Sequence, residues 1–233
     1  MNYDVIILAG GLGTRLRSVI GEVPKPMALI GDKPFLEYLL DFLNKANVNK
    51  VIISVGYKKE DIISYFGNKY KSIEIIYSEE EQPLGTGGAV LNAIKFVKND
   101  KFFIFNGDTF FEVDLNEMIR FSEKKQADIL VALKKLKNAE RYGKVKIDED
   151  FKIIEFIEKG SKQEGYINGG VYLVNKTMFE KLTLPEVFSF EKDFLEKYYK
   201  DFRFYGLPFD SYFIDIGVPE DYERAKIEIA KSR

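Results

Sequence analysis

Val5-Ile6-Ile7-Leu8-Ala9 runs straight into Gly10-Gly11-Leu12-Gly13-Thr14-Arg15-Leu16, and the chain then passes through Pro24-Lys25-Pro26. The opening run is apolar without interruption, the pattern of a strand covered on both faces. It gives way to a loop of glycines, a hydroxyl and an arginine. Glycine has no Cβ to keep an anion from backbone N–H groups, and Arg15 and Lys25 add full positive charges. A loop of this make-up at the carboxyl end of a buried strand suits a polyphosphate. On the glycines alone, an ordinary strand-to-helix turn is the alternative; the two cations favour the anion site. Two other phosphate loops are excluded. No Gly-Lys-Ser/Thr occurs, so there is no P-loop. The dinucleotide fingerprint starts at Gly11 and Gly13 but fails at Leu16, where a third glycine would be needed.

Outward from this stretch, apolar runs alternate with helical spacing. Strands are expected over 50–56, 73–77 and 102–106, and helices over 35–46, 59–66 and 88–97. That alternation predicts an α/β fold, Rossmann-like, with helices on both faces of a mainly parallel mixed sheet in three αβα layers. Beyond it the expected elements are helices over 115–125, 190–199 and 219–230, and strands over 129–133, 144–147, 153–157, 170–174 and 202–207. No linker, repeat or low-complexity tract interrupts them. A single domain over 1–233 is expected, with a first half at 1–114 that carries the glycine loop and a substrate-facing half at 115–233. The aromatic segment 188–199 has two readings, packing within its own core or against a second copy in a homodimer.

The 233 residues are 45% hydrophobic and 31% charged, with a net charge of −2. A nucleic-acid surface is not expected at that charge, with lysine and arginine scattered. No run is long and apolar enough to span a bilayer, and no secretion signal stands at the start, so a cytoplasmic protein without a membrane partner is expected. The chain contains neither cysteine nor histidine. Ser-His-Asp and Cys-His mechanisms are therefore excluded, as are zinc sites built from these side chains. Any metal must be held by oxygen, which leaves Mg²⁺, Mn²⁺ or Ca²⁺.

Asn106-Gly107-Asp108-Thr109 follows an expected strand, and Phe213-Ile214-Asp215-Ile216-Gly217 sets a second carboxylate among apolar neighbours. A carboxylate so placed is costly to desolvate unless a cation or donors compensate it. One Mg²⁺ shared by Asp108, Asp215 and substrate phosphates would do so; a turn-forming Asp108 and a helix N-terminal or salt-bridged Asp215 are the plainer readings. In Glu79-Glu80-Glu81-Gln82-Pro83-Leu84-Gly85-Thr86-Gly87-Gly88 the glycines are expected to let backbone approach a flat ligand, with a helix from Gly88 aimed at it. Guanine carries N1–H and N2–H₂ side by side, and one carboxylate accepts both. Glu80 thus points to guanine, against a reading as a solvated acidic turn.

These motifs, with Tyr142-Gly143, Glu158-Lys159 and Asn168-Gly169-Gly170, resemble the sugar-1-phosphate nucleotidyltransferases, in that family's order and over nearly the whole chain. The Leu-Gly-Thr-Gly-Gly variant and the short length look closest to its guanylyltransferases, and among those to the heptose 1-phosphate type. The resemblance implies transfer of GMP from GTP to a heptose 1-phosphate, releasing pyrophosphate, with Mg²⁺ as cofactor and surface polysaccharide as the destination. It implies nucleotide contacts from Leu8, Gly10, Gly11, Gly13, Thr14, Arg15, Glu80, Gly85, Thr86 and Asp108, and sugar-phosphate contacts from Gly143, Glu158, Lys159, Asn168 and Gly169. Arg15, Lys25 and Asp108 would carry catalysis, and Asp108 and Asp215 the metal. Ser18 and Gly160 replace prolines frequent in the family, and Gly169 a frequent alanine. The last two touch the sugar side. The alternatives are a mannose- or glucose-1-phosphate transferase using GTP, UTP or dTTP, and a non-catalytic subunit that binds nucleotide sugars.

Overall fold

The computed structural model describes residues 3–157, 160 and 164–231. Its strands are β1 (Val5–Leu8), β2 (Leu29–Ile30), β3 (Lys33–Pro34), β4 (Lys50–Val55), β5 (Lys69–Tyr70), β6 (Ile73–Glu79) and β7 (Lys101–Asn106). They continue as β8 (Thr109–Phe111), β9 (Ile129–Leu136), β10 (Lys144–Ile147), β11 (Ile153–Ile157), β12 (Gly165–Asn175), β13 (Phe204–Phe209) and β14 (Phe213–Asp215). The α-helices are α1 (Arg17–Ile20), α2 (Phe35–Lys45), α3 (Lys59–Phe66), α4 (Gly85–Ala93), α5 (Leu115–Lys125), α6 (Thr177–Glu180), α7 (Glu196–Tyr198) and α8 (Pro219–Lys231).

The expected α/β architecture is present. β1 pairs in parallel with β4 on one side and β7 on the other, and β4 pairs in parallel with β6. From β1 the chain steps outward through β4 to β6, then returns to the opposite flank of β1 as β7. That reversal puts a topological switch point between the carboxyl ends of β1 and β7, where open α/β sheets bind ligands. β5 lies antiparallel on the outer side of β6, β12 extends the sheet antiparallel to β7, and β9, β10, β11 and β13 complete it. Both halves of the chain therefore share one 10-stranded sheet.

Side chains alternate across the sheet as the pleat requires. Val5 and Ile7 pack in the core on the face that holds Leu36, Leu39, Leu40 and Leu43 of α2. Ile6 faces the other core with Val90 and Ala93 of α4 and with Phe190 and Phe194. Each of these side chains is fully or almost fully buried, a contribution of about 1.5–3 kcal/mol apiece for all but the small Ala93. Asp114 caps α5 by accepting from the N–H groups of Asn116 and Glu117. The aromatic segment goes into the protein's own core. Phe190 and Phe194 are completely buried and stack at 5.3 Å, and Phe194 stacks on Phe179 at 5.1 Å.

Several bounds differ from the sequence reading. α4 begins at Gly85 rather than Gly88, and 190–199 forms a π turn over Phe190–Leu195 before α7. The hairpin β2–β3 and the pair β8–β14 carry only two or three residues per strand, too few for a periodicity to register. β12 is longer than expected because it changes partners midway. Its first residues pair with β10 and its last with β7, and the register against β9 slips between Asn168 and Tyr172. Gly170 sits in that bulge at φ +72°, a backbone setting that favours glycine.

Candidate active site

The ten nucleotide positions expected from the sequence line one cavity of about 440 Å³ at the switch point: Leu8, Gly10, Gly11, Gly13, Thr14, Arg15, Glu80, Gly85, Thr86 and Asp108. β1 delivers Leu8 to the edge of the sheet and the glycine loop folds over from there. Gly13 adopts φ +58° and starts a short 3₁₀ turn, Thr14–Leu16. A Cβ at Gly11 would meet nothing within 4 Å, so this loop backbone is open to a ligand. Leu16, where the dinucleotide fingerprint needs glycine, is a fully buried core residue. The Arg15 side chain has no carboxylate partner among the described residues.

Lys25 lies in a second 3₁₀ turn, Lys25–Met27, entered from Pro24 and stiffened by Pro26. The lysine is 9% exposed, and its Nζ pairs with Asp108 Oδ2 at 2.5 Å. Gly107 makes that meeting possible. Its N–H donates to the Leu8 carbonyl at 2.9 Å, and a Cβ there would stand 2.5 Å from the same oxygen. Only glycine allows the turn after β7 to fold so tightly against β1.

Asp215 comes beside Asp108 from far along the chain, without itself lining the cavity. β14 pairs antiparallel with β8, setting Asp215 opposite Thr109, and the N–H of Ile216 donates to the Asp108 carbonyl at 3.0 Å. Burial, and then the nearby Asp108 carboxylate, push the Asp215 carboxyl up to about 6. Lys25 and the Gly217 N–H, which donates to Asp215 Oδ1 at 2.6 Å, pull against that rise. Two carboxylates thus crowd each other around one ammonium. Among the described residues no cluster of three or more His, Cys, Asp or Glu side chains converges for a metal. A donor set of two carboxylates, short of negative-charge compensation, fits a hard cation that takes its remaining ligands from water and phosphate.

Glu80, just past β6, is held from two sides. Ser54 Oγ donates to Oε1 at 3.0 Å, and the Leu84 N–H donates to Oε2 at 3.1 Å. Gly10 leaves room for it, since a Cβ there would come within 2.7 Å of Oε1.

The glycines of residues 84–88 have a different use from the one expected. A Cβ at Gly87 would fall 2.1 Å from the Phe188 ring, one at Gly88 2.2 Å from the Glu186 carbonyl, and one at Gly85 2.5 Å from the Phe188 carbonyl. They admit the chain's own segment 186–188 against α4, and only Gly85 among them lines the cavity. Thr86 is part of the same clasp. Its hydroxyl donates to Glu191 at 2.7 Å and accepts from the Phe190 N–H at 2.8 Å.

On the sugar side, Glu158 and Lys159 lie outside the described residues. Gly143, Asn168 and Gly169 do not line the cavity. Asn168 donates to the Tyr172 hydroxyl at 2.8 Å and accepts from the Gly170 N–H at 3.0 Å, so its side chain shapes the bulge of β12. Burial raises the Tyr172 phenol well above its ordinary range. Gly169 packs under Phe111, whose ring would be 2.5 Å from a Cβ.

Ala9, Leu12, Pro26, Pro83, Ala89, Asn106 and Gly217 also line the cavity, although no contact was expected of them from the sequence. Asn106 had a signal, as the first residue of Asn-Gly-Asp; its buried Oδ1 has no hydrogen-bond partner among the described residues. Ser54 had one too, a lone hydroxyl in the strand Val51-Ile52-Ile53-Ser54-Val55.

A phosphate-sized loop, paired carboxylates and a buried lysine at a sheet switch point define a nucleotide-transferring class, and the chain belongs to the nucleotidyl transferase family, whose model matches residues 4–232. It is 53% identical over 226 residues to the D-glycero-alpha-D-manno-heptose 1-phosphate guanylyltransferase of Aneurinibacillus thermoaerophilus, covering 97% of this chain and 98% of that one. It is 50% identical to the enzyme of the same name from Campylobacter jejuni, covering 94% and 96%. Crystal-structure HddC from Yersinia pseudotuberculosis superposes with a TM-score of 0.89 at 41% identity over 97% of this chain and 99% of that one; HddC has also been solved complexed with GMP-PN. No described helix is long and apolar enough to cross a membrane.

Proposed function

We propose that this protein transfers GMP from GTP to D-glycero-α-D-manno-heptose 1-phosphate, giving GDP-heptose and pyrophosphate. The observation that carries the reading is the cavity at the β1/β7 switch point, where Arg15, Lys25, Asp108 and Glu80 converge. The identity above 50% to a guanylyltransferase of that name supports the choice of substrates.

The chemistry follows from the groups present. A sugar 1-phosphate is largely dianionic at neutral pH, since its second pKa is near ~6. Its oxygen attacks the α-phosphorus of GTP, the new P–O bond forms, and the bond to the β-phosphate breaks, releasing pyrophosphate. No proton has to be removed from the nucleophile, which suits a chain without histidine. The difficulty is bringing two anions together, so positioning and charge neutralisation carry the rate. Lys25, preset beside Asp108, offsets charge on the transferring phosphoryl group. Arg15 and the N–H groups around Gly11 and Gly13 take the pyrophosphate end. Glu80 accepts from the paired donors of guanine. Asp108 and Asp215 would hold Mg²⁺, which when bound supplies further neutralisation of the phosphates. Glu158, Lys159, Gly143, Asn168 and Gly169 remain the proposed contacts for the sugar phosphate. The product is an activated glycosyl donor, made in the cytoplasm for capsule or lipopolysaccharide assembly.

Pyrophosphate release is the test. The purified protein with Mg²⁺ is given each of GTP, UTP, dTTP, CTP and ATP against heptose, mannose and glucose 1-phosphates. GTP with the heptose 1-phosphate is expected to exceed every other pairing by at least tenfold. Preference for UTP or dTTP contradicts the guanine reading, and binding of GDP-sugar without turnover in any pairing contradicts catalysis.

A further inference from the structure

We infer that Ser54 is a positioning residue for base selection: its hydroxyl, with the Leu84 N–H, locks the Glu80 carboxylate in the orientation that reads the guanine edge. The inference rests on the proposed guanine reading of Glu80 and deepens it.

Ser54 is completely buried in the parallel core of the sheet. A polar side chain in that setting needs a partner, and it has one, Glu80 Oε1 at 3.0 Å. Its backbone carbonyl meanwhile accepts from the Ala9 N–H at 2.9 Å, tying the same residue to the root of the glycine loop. The second carboxylate oxygen is held by the Leu84 N–H at 3.1 Å. Each oxygen of an ionised carboxylate can accept about two hydrogen bonds. With one internal donor apiece, both oxygens keep capacity toward the cavity that Glu80 lines. Guanine needs that arrangement, two acceptors side by side for N1–H and N2–H₂.

A glutamate has three rotatable side-chain bonds, and ordering them only on binding weakens the bound state and loosens its geometry. The three-sided cradle removes that cost beforehand. Ser54 donates, Leu84 donates, and Gly10 clears the space in which a Cβ would stand 2.7 Å from Oε1. Ser54 makes no contact with the cavity itself, so its effect reaches the base through Glu80 alone.

The discriminating substrate is ITP, whose hypoxanthine keeps N1–H and lacks the N2 amine. The experiment compares kcat/KM for GTP and ITP in wild type, Ser54→Ala, Ser54→Thr, Ser54→Cys and Glu80→Gln. Wild type is expected to favour GTP by at least tenfold. Ser54→Ala is expected to raise KM for GTP several-fold with kcat nearly unchanged, and to cut the GTP/ITP ratio at least threefold. Ser54→Thr, which keeps the hydroxyl, restores the ratio; Ser54→Cys, a weaker donor of near-equal volume, falls between and serves if the alanine variant is not folded. Glu80→Gln abolishes the preference. An unchanged ratio in both Ser54→Ala and Ser54→Cys, with the preference lost in Glu80→Gln, overturns the role of Ser54 and leaves the guanine reading intact. An unchanged ratio in Glu80→Gln overturns the guanine reading of Glu80, and the role of Ser54 with it.

Discussion

The two glycine-rich stretches that flank the cavity look alike as sequence and do different physical work. Around Gly11 the loop backbone is open, and a side chain there would meet nothing within 4 Å. Around Gly87 and Gly88 the missing side chains are replaced by the protein's own Phe188 ring and Glu186 carbonyl. At Gly11 the first stretch keeps room for a ligand, while its neighbours Gly10 and Gly13 make way for Glu80 and Lys25; at Gly87 and Gly88 the second keeps room for the chain alone. The same contrast separates the charged groups of the first half, which face the cavity, from Asn168 and Gly169 of the second, which are engaged in the bulge of β12. A motif glycine is therefore evidence of close approach, and only the structure says what approaches.

The largest expected effect lies on the ligand side. Lys25→Ala removes the buried ammonium beside Asp108. We expect kcat to fall roughly 100- to 1,000-fold, as for loss of a group that stabilises transition-state charge, with KM for GTP changed only a few-fold. Steady-state pyrophosphate release separates the two parameters; a raised KM with kcat unchanged would reduce Lys25 to a binding residue.

On the packing side, Gly87→Ala forces a methyl group 2.1 Å from the Phe188 ring. A helical alanine gains about 1 kcal/mol over glycine in propensity, but overpacking of this kind costs about 1–3 kcal/mol and at this separation more. We expect a net loss of at least ~2 kcal/mol, read as a lower urea midpoint. A variant as stable as wild type would dissolve the contrast drawn above.

The two aspartates give a pH test. A carboxyl raised to about 6 in the folded protein, against 3.8 unfolded, contributes its neutral-form stability fully below the unfolded value. That stability is lost as pH rises through 6, because the folded state binds the extra proton. Asp215→Asn keeps an acceptor for the Gly217 N–H and never ionises. In EDTA it should stabilise the protein at pH 7.5 by an amount on the order of 2 kcal/mol, and hardly at all at pH 4, while activity with Mg²⁺ collapses. Equal urea midpoints for variant and wild type at pH 7.5 would contradict the crowding of Asp108 and Asp215.

The smallest expected stability change is at Gly11→Ala, within about 0.5 kcal/mol of wild type because the new methyl group points into open space. Its KM for GTP should nonetheless rise. Read beside Gly87→Ala in the same melting and kinetic assays, it divides ligand glycines from packing glycines.

Much of this was legible in the chain. The apolar runs at Val5, Val51 and Phe102 announce a buried parallel sheet, and the order of those runs places the glycine loop at its switch point. Lys25, Asp108 and Asp215 stood out because charged groups among prolines, glycines and isoleucines ask for compensation. Three things were not legible. The three-residue strands β8 and β14 are what bring Asp215 to Asp108, and they are too short to carry a period. The clasp of Thr86 with Phe190 and Glu191 joins residues more than 100 apart, which no local pattern encodes. The turn over Phe190–Leu195 reads as helical from its spacing but is wound as a π turn, where the Ser189 hydroxyl accepts from the Lys192 N–H at 3.1 Å.

The central proposal is that Asp108 and Asp215 would together hold one divalent ion beside Lys25 when nucleotide is bound. Crystals grown with Mn²⁺ and a non-hydrolysable GTP analogue, measured for the anomalous signal of manganese, address it directly. The account predicts a single strong peak within coordinating distance of both carboxylates. A peak bound to phosphate oxygens alone, with Asp215 turned away, would contradict it.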